Sequence, residues 1–92
     1  MMGPETERAL RRLSLGEPEI RCAELVRLLE RLGFEVRRGR RGNHRIASHA
    51  RLLNFRGLSF DCGHGRNAVI KRAYVQRVRR TLETFAEELD GY

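Results

Sequence analysis

The chain of 92 residues can form one small domain with a modest core and leaves little length for a second unit. It carries 19 lysines and arginines against 12 aspartates and glutamates, and this net charge of +7 favours an acidic partner such as RNA, DNA, an anionic membrane or an acidic protein. No apolar run approaches membrane-spanning length and the N-terminus does not resemble a signal peptide, so we expect a cytoplasmic protein without membrane contact.

The N-terminal stretch is expected to be an arm outside the main domain. Residues 3–13 fit a short helix whose only apolar residues are Ala9, Leu10 and Leu13, and residues 14–18 break it. With so little apolar surface, residues 1–19 are expected to be loosely attached or to pack on a partner.

A helix is predicted for residues 22–32, where leucines recur at three- and four-residue spacing. Gly33 follows as the residue that ends this helix in a left-handed conformation. Phe34 is expected to fold back on the last helical turn as the accompanying hydrophobic contact.

The spacing of apolar residues then drops to two, which predicts short strands at about 34–37, 43–48 and 58–62. In the second strand His44 and Ile46 share one face, while Arg45 and Ala47 share the other. The link 49–57 has no predicted register, and residues 63–67 form a loop. A last helix is predicted for residues 71–89, with an inward stripe made of Tyr74, Val78, Leu82, Phe85 and Leu89.

Helix, three strands and helix, joined by short links, predict an α+β fold in residues 20–92. The strands should form a three-stranded antiparallel sheet with two helices on one face, preceded by the arm.

The two cysteines, Cys22 and Cys62, lie far apart in sequence and in no metal or redox spacing. We therefore expect free thiols in a reducing cytosol, with Cys62 buried as a small hydrophobic residue on the third strand. The absence of tryptophan, together with only two tyrosines, argues against aromatic stacking as the main contact with nucleic acid.

The stretch 37–45 contains five arginines and two glycines and surrounds a single histidine, His44. Arginine presents a planar fork to phosphate, and histidine titrates near neutral pH, so the stretch indicates a site that binds a polyanion and moves a proton. The alternative is a solvated hairpin loop whose arginines serve solubility. The candidate RNA-binding residues are Arg38, Arg40, Arg41, Asn43, Arg45, Arg66, Lys71 and Arg72.

Antiparallel pairing predicts that His44, at the start of the second strand, meets His64, just past the end of the third. The start of the last helix should bring Lys71 and Arg72 to the same edge. Two imidazoles among cations suit RNA cleavage, with one base for the 2′-hydroxyl proton, one acid for the leaving oxygen and cations for the phosphorane charge. A surface histidine without a catalytic role is the alternative. His44, Cys62 and His64 lack a compact ligand spacing, so no metal site is expected.

A family resemblance rests on residues 25–34, on Gly42-Asn43-His44-Arg45-Ile46, and on Cys62-Gly63-His64-Gly65, with residues 70–75 adding to it. Over about residues 20–83 the chain resembles the HicA family of toxins. The Gly-Phe pair followed by Gly-x-His is the most specific part of the likeness.

The resemblance implies a dsRBD-like α-β-β-β-α fold, named after the double-stranded-RNA-binding domain. It also implies a small bacterial toxin, an mRNA interferase that cleaves or blocks mRNA and is neutralised by a HicB-like antitoxin. The family's catalytic histidine in a Gly-Ser-His motif carries over to His44, with Asn43 in place of serine and Arg45 where many members have a second histidine. His64 lies near the family's Pro-x-His segment, with Cys62 in place of proline, and is a supporting candidate.

Three functions stay in competition at this point. The first is a metal-independent endoribonuclease that needs no cofactor. The second is a non-catalytic RNA-binding module that uses the same basic edge. The third is a DNA-binding regulator, against which the absence of a helix-turn-helix pattern argues.

Overall fold

A computed structural model describes residues 3–65 and 67–89 of the chain. Its elements are, in order, helix α1 (Pro4–Arg12), helix α2 (Cys22–Arg31), strands β1 (Glu35–Arg38), β2 (His44–Ser48) and β3 (Leu58–Asp61), and helix α3 (Arg72–Thr84). The predicted α+β order is confirmed, including the short N-terminal helix. Within the described residues, no helix has both the length and the apolar character to cross a membrane.

The strands form one antiparallel sheet in the order β1-β2-β3, as predicted. Val36 pairs with Ala47 and Ala47 pairs with Leu58, so these side chains share one face of the sheet. Ala47 and Leu58 are buried, whereas His44 and Ile46 on the other face are half-buried. The first face is therefore the core face, and we call the second the open face.

The core joins this face of the sheet to both flanking helices. Leu25 and Leu29 of α2, Phe60 of β3, and Val78 and Leu82 of α3 belong to one cluster and are all inaccessible to solvent. Each such side chain contributes about 1.5–3 kcal/mol by leaving water. The prediction that two helices pack on one face of the sheet is confirmed.

The end of α2 is the predicted glycine-terminated turn. Gly33 has φ +92°, a conformation that favours glycine, and its N–H donates to the carbonyl oxygen of Glu30. The N–H of Phe34 donates to the carbonyl oxygen of Leu29 at 3.1 Å, and the Phe34 ring is buried. These two bonds satisfy carbonyls that the helix leaves open and turn the chain directly into β1.

Helix α1 is docked on the domain, so the expectation of a loosely attached arm is wrong. Leu13 is 1% exposed and, with Ala9, belongs to the same core cluster as the sheet. The side chain of Thr6 is fully buried as well. The small apolar surface of Ala9 and Leu13 is buried because α1 packs along α3, which joins it to the core of the domain.

Arg12 attaches α1 to α2 and to the link between them, through contacts that the local sequence pattern does not predict. Its guanidinium forms a two-point ion pair with Glu24 of α2, at 2.6 Å from Nε to Oε2 and 2.9 Å from Nη2 to Oε1. It also donates to the carbonyl oxygens of Pro18 and Glu19 at 2.8 and 3.0 Å. The hydrogen bond to Glu24 is the main cause of the raised pKa of Arg12.

Helix α3 is shorter than predicted, since it ends at Thr84 and residues 85–89 form turns. The last helical turn has no basic residue to offset the helix dipole, which disfavours a longer helix. The inward stripe is nevertheless confirmed, because Val78, Leu82 and Leu89 are buried and the N–H of Leu89 still donates to the carbonyl oxygen of Phe85.

Cys22 and Cys62 form a disulfide, with 5.2 Å between their Cα atoms, so neither thiol is free. The expectation of free thiols is therefore wrong, although the predicted burial of Cys62 is confirmed. The two residues are 40 positions apart in sequence. They meet because α2 begins beside the point where β3 ends, a proximity that spacing along the chain does not reveal.

Candidate functional site

A groove of about 470 Å³ lies at the edge of the sheet where β2 begins and β3 ends. Arg38, Arg45, His64 and Asn67 line it, and the Cys22–Cys62 disulfide forms part of the wall. No carboxylate is found among the described residues that line it. A concave surface with cationic side chains and no acidic ones attracts anions.

Arg38 and Arg45 are directly paired across β1 and β2, so their side chains lie on the same face. Like charges at directly opposite positions of an antiparallel pair repel each other and destabilise the sheet locally. Arg45 is partly held by its own hairpin, because its Nη1 donates to the carbonyl oxygens of Gly42 at 2.7 Å and His44 at 3.1 Å. An anion between the two guanidinium groups would relieve the repulsion.

His44 lies on the open face of the sheet, where its Cα partner is Asp61. Its ring rests against Gly39, and a Cβ added to Gly39 would stand 2.8 Å from Cδ2 of His44. Only glycine at position 39 therefore leaves this ring position undisturbed. His44 is not among the described residues that line the groove.

His64 is exposed and lies between Gly63 and Gly65, whose φ values are +77° and +88°. The N–H of Cys62 donates to the carbonyl oxygen of Asn43 at 2.7 Å, so the segments that carry the two histidines are paired at this edge. Strand pairing thus brings the two backbone segments together as the sequence suggested. The rings occupy different surfaces, however, since His64 lines the groove and His44 lies on the open face.

Asn67 has a role that the sequence gave no reason to expect. Its Oδ1 accepts a hydrogen bond from the N–H of Ala23 at 2.9 Å, and its carbonyl oxygen accepts one from Nη1 of Arg21 at 3.2 Å. The N–H of Cys22 donates to the carbonyl oxygen of Ala68. Asn67 thereby caps the start of α2 from a distant segment, which the helix needs because Arg21 at its N-cap makes no side-chain cap. Its φ of +54°, a conformation in which asparagine is enriched, fits this role.

The other predicted RNA-binding residues divide between several places. Arg40 and Arg41 are exposed on the hairpin between β1 and β2, outside the groove wall, and Arg66 lies outside the described residues. Lys71 and Arg72 line a separate cavity of about 280 Å³ near the end of α1. The predicted approach of Lys71 and Arg72 to the histidine edge is therefore not found in this groove. Asn43 does line it.

Within the described residues, there is no group of three or more histidines, cysteines, aspartates and glutamates that could hold a metal ion. No family model, curated protein or solved structure matches the chain.

Proposed function

We propose that this protein is a cytoplasmic toxin of the HicA type, an endoribonuclease that binds and cleaves mRNA without a metal ion or cofactor. A HicB-like antitoxin would neutralise it. The observation that carries the proposal is the Arg38–Arg45 pair, two guanidinium groups at opposed positions in a groove that also holds His64.

The charge arrangement supports binding to a phosphate backbone. Two arginines that repel each other in the free protein gain most from a ligand that carries negative charge between them. The asparagine at position 43 and the exposed Arg40 and Arg41 add hydrogen-bond donors along the same edge. An acidic antitoxin surface would inhibit the protein by covering these same cations.

The chemistry assigned to this edge needs one base and one acid. His44 is proposed to take the proton of the 2′-hydroxyl, and the 2′-oxygen then attacks phosphorus. The 5′-oxygen leaves with a proton, for which His64 is the supporting candidate, and the arginines stabilise the charge on the phosphorane. The 2′-oxygen and the 5′-oxygen flank one phosphorus, so both rings must reach the same phosphate. That phosphate would have to lie on the rim formed by Asn43 and Cys62, between the two surfaces.

The fold is compatible with this proposal at a coarse level. The order α2-β1-β2-β3-α3, with both helices on one face of the sheet, is the order that a dsRBD-like domain requires. We propose that these five elements are that domain and that α1 is an addition to it.

The test uses end-labelled single-stranded RNA incubated with the purified protein in the presence of a chelator. We expect cleavage by the wild type and by Ser48→Ala, a control on the same face of β2 at its other end. We expect a loss of about a hundredfold or more in His44→Ala, the usual cost of removing a general base. Cleavage that is equal in wild type and His44→Ala, or absent in both, would contradict the proposal.

A second candidate is a non-catalytic RNA-binding module that uses the same groove. The separation of the His44 and His64 rings onto different surfaces favours it. This module would bind RNA with a strong dependence on salt and would leave the strand intact, and His44→Ala would change its affinity little.

A further inference from the structure

The Cys22–Cys62 disulfide forms part of the groove, and this gives it a second role beside cross-linking the fold. We propose that the bond is a site of thiol–disulfide exchange and that its redox state sets the shape of the groove. Where the proposal concerns RNA affinity, it rests on the proposed function. Where it concerns the order of the groove wall, it stands alone.

The position of the bond limits how a reagent can reach it. Cys22 is 8% exposed and Cys62 is 4% exposed, yet both line the groove, which is open to solvent. A thiolate therefore has its access to the sulfur atoms from the side on which RNA is proposed to bind. Bound RNA would shield the bond from the same reagent.

The bond links two units that both line the groove. The first unit is the sheet edge, where Cys62 and Asn43 are joined by a backbone hydrogen bond. The second unit is the start of α2 together with the segment that holds Asn67, joined by the bonds from Ala23 and Cys22 described above. Hydrogen bonds hold each unit together internally, and the disulfide is a covalent cross-link between them in addition to the main chain.

Loss of the bond should loosen one unit against the other. The chain between them passes through Gly63 and Gly65, both at positive φ, and glycine restricts backbone motion least. The hydrogen bonds from Cys22 and Ala23 to Ala68 and Asn67 should then open more often, while Arg38 and Arg45 stay on the sheet. The distance between the two arginines and Asn67 then becomes variable, so a ligand that contacts all three residues is bound more weakly.

The bond can be reduced by a small dithiol and formed again by a small-molecule disulfide. A thiolate of a dithiol attacks one cysteine sulfur, the sulfur–sulfur bond breaks, and the other cysteine leaves as a thiolate that takes up a proton. The second thiol of the reagent then displaces the attacked cysteine and closes its own disulfide, so two electrons pass to the protein. A small-molecule disulfide reverses the reaction. The oxidised protein is the form with the ordered groove and the higher RNA affinity.

The first measurement is amide hydrogen exchange on the full chain, oxidised and then reduced with dithiothreitol, without RNA. We expect faster exchange after reduction at Cys22, Ala23 and Ile70, whose N–H groups donate to Ala68, Asn67 and Ile20, and unchanged exchange in the core of α3. Alkylation and mass spectrometry establish whether both thiols have formed. A disulfide that persists in the folded protein under excess dithiothreitol, or identical exchange in both forms, would overturn the proposal. So would a reduced protein that unfolds.

The second measurement is fluorescence anisotropy with a labelled 2′-O-methyl RNA, which cannot be cleaved through a 2′-hydroxyl. Reduction should weaken binding by about three- to tenfold, the scale of one hydrogen-bonded contact. The double variant Cys22→Ser/Cys62→Ser should bind like the reduced protein and ignore dithiothreitol, with Cys22→Ala/Cys62→Val in its place if the serine variant does not fold.

The two measurements separate the two proposals. Failure of both redox forms to bind RNA would remove the proposed function and leave the exchange result intact. Equal RNA binding by both forms, with the bond shown to be reduced, would overturn the proposed link between redox state and RNA affinity and leave the function intact.

Discussion

The two ends of the sheet differ in the contacts that their side chains make. At the end where β1 and β3 begin, Phe34, His49, Phe55 and Phe85 pack edge to face, with ring centroids 4.8 to 5.6 Å apart along the series. At the other end, Arg38 faces Arg45 across the strands. At the first end, which we call the aromatic end, the contacts between rings stabilise the fold. At the second, which we call the cationic end, two like charges repel each other and destabilise it.

The two ends also differ in the environment of their histidines, His49 at the aromatic end and His64 at the cationic end. Nε2 of His49 lies 2.9 Å from the carbonyl oxygen of Leu32, and Nδ1 accepts a hydrogen bond from the N–H of Arg51. This pattern assigns the proton to Nε2 and fixes the ring as part of the core. His64 at the cationic end is exposed instead. Whether a histidine can contact a substrate therefore depends on the burial of its ring, which the sequence alone does not show.

The largest effect is expected from Phe34→Ala at the aromatic end. The substitution removes a buried ring that contacts both His49 and Phe55, so the free energy of unfolding should fall by about 3–5 kcal/mol. Urea denaturation measures this. If the folded fraction still binds RNA normally, the two ends are independent, whereas a loss of affinity in the folded fraction would contradict that view.

His49→Ala should lower the free energy of unfolding by about 2 kcal/mol, because it leaves buried hydrogen-bonding groups without their partner. The same urea denaturation experiment detects this change. His64→Ala is the matched control, since an exposed histidine should change stability little. Equal destabilisation by both would remove the contrast between a core and a groove histidine.

Gly39→Ala tests the position of the His44 ring. Position 39 is not at positive φ, so the added methyl group should cost less than about 1 kcal/mol of stability while it displaces the ring. A displacement of about 1 Å can cost about a hundredfold in rate, so RNA cleavage should fall by up to that amount. Normal cleavage with a displaced ring in the NMR spectrum would argue against His44 as the base.

The smallest change in stability is expected from Arg38→Gln, which should raise the free energy of unfolding by up to about 0.5 kcal/mol by removing the repulsion with Arg45. It should also weaken RNA binding and reduce the slope of log affinity against log salt by about 0.7. Arg56→Gln is the control, because Arg56 is exposed near the aromatic end. Equal losses of affinity in both variants would mean that RNA binds through overall charge.

The parts of the fold that follow local rules could be predicted from the sequence. The leucine spacing identified α2, Gly33 and Phe34 identified its end, and alternation identified the three strands. The same alternation placed His44 and Arg45 on opposite faces, and the sheet has this arrangement.

What the sequence did not yield depends on contacts between distant segments. The disulfide, the Arg12–Glu24 ion pair and the cap that Asn67 gives α2 each join residues that no periodic pattern connects. The expected position of Lys71 and Arg72 failed for a related reason. Residues 67–70 first run along the start of α2, where Val69 bridges Arg21 and the N–H of Ile70 donates to the carbonyl oxygen of Ile20. The last helix therefore starts away from the groove.

Because Arg12 attaches α1 to α2, removal of the N-terminal helix should affect the rest of the domain. A truncated fragment that starts at residue 20 would keep Glu24 but lose the cation that neutralises it. It would also expose to water the apolar surface that Leu13 covers. Helix α1 and the sheet are thus expected to melt in one cooperative transition, and a fragment that lacks the N-terminal helix is expected to be less stable than the full chain.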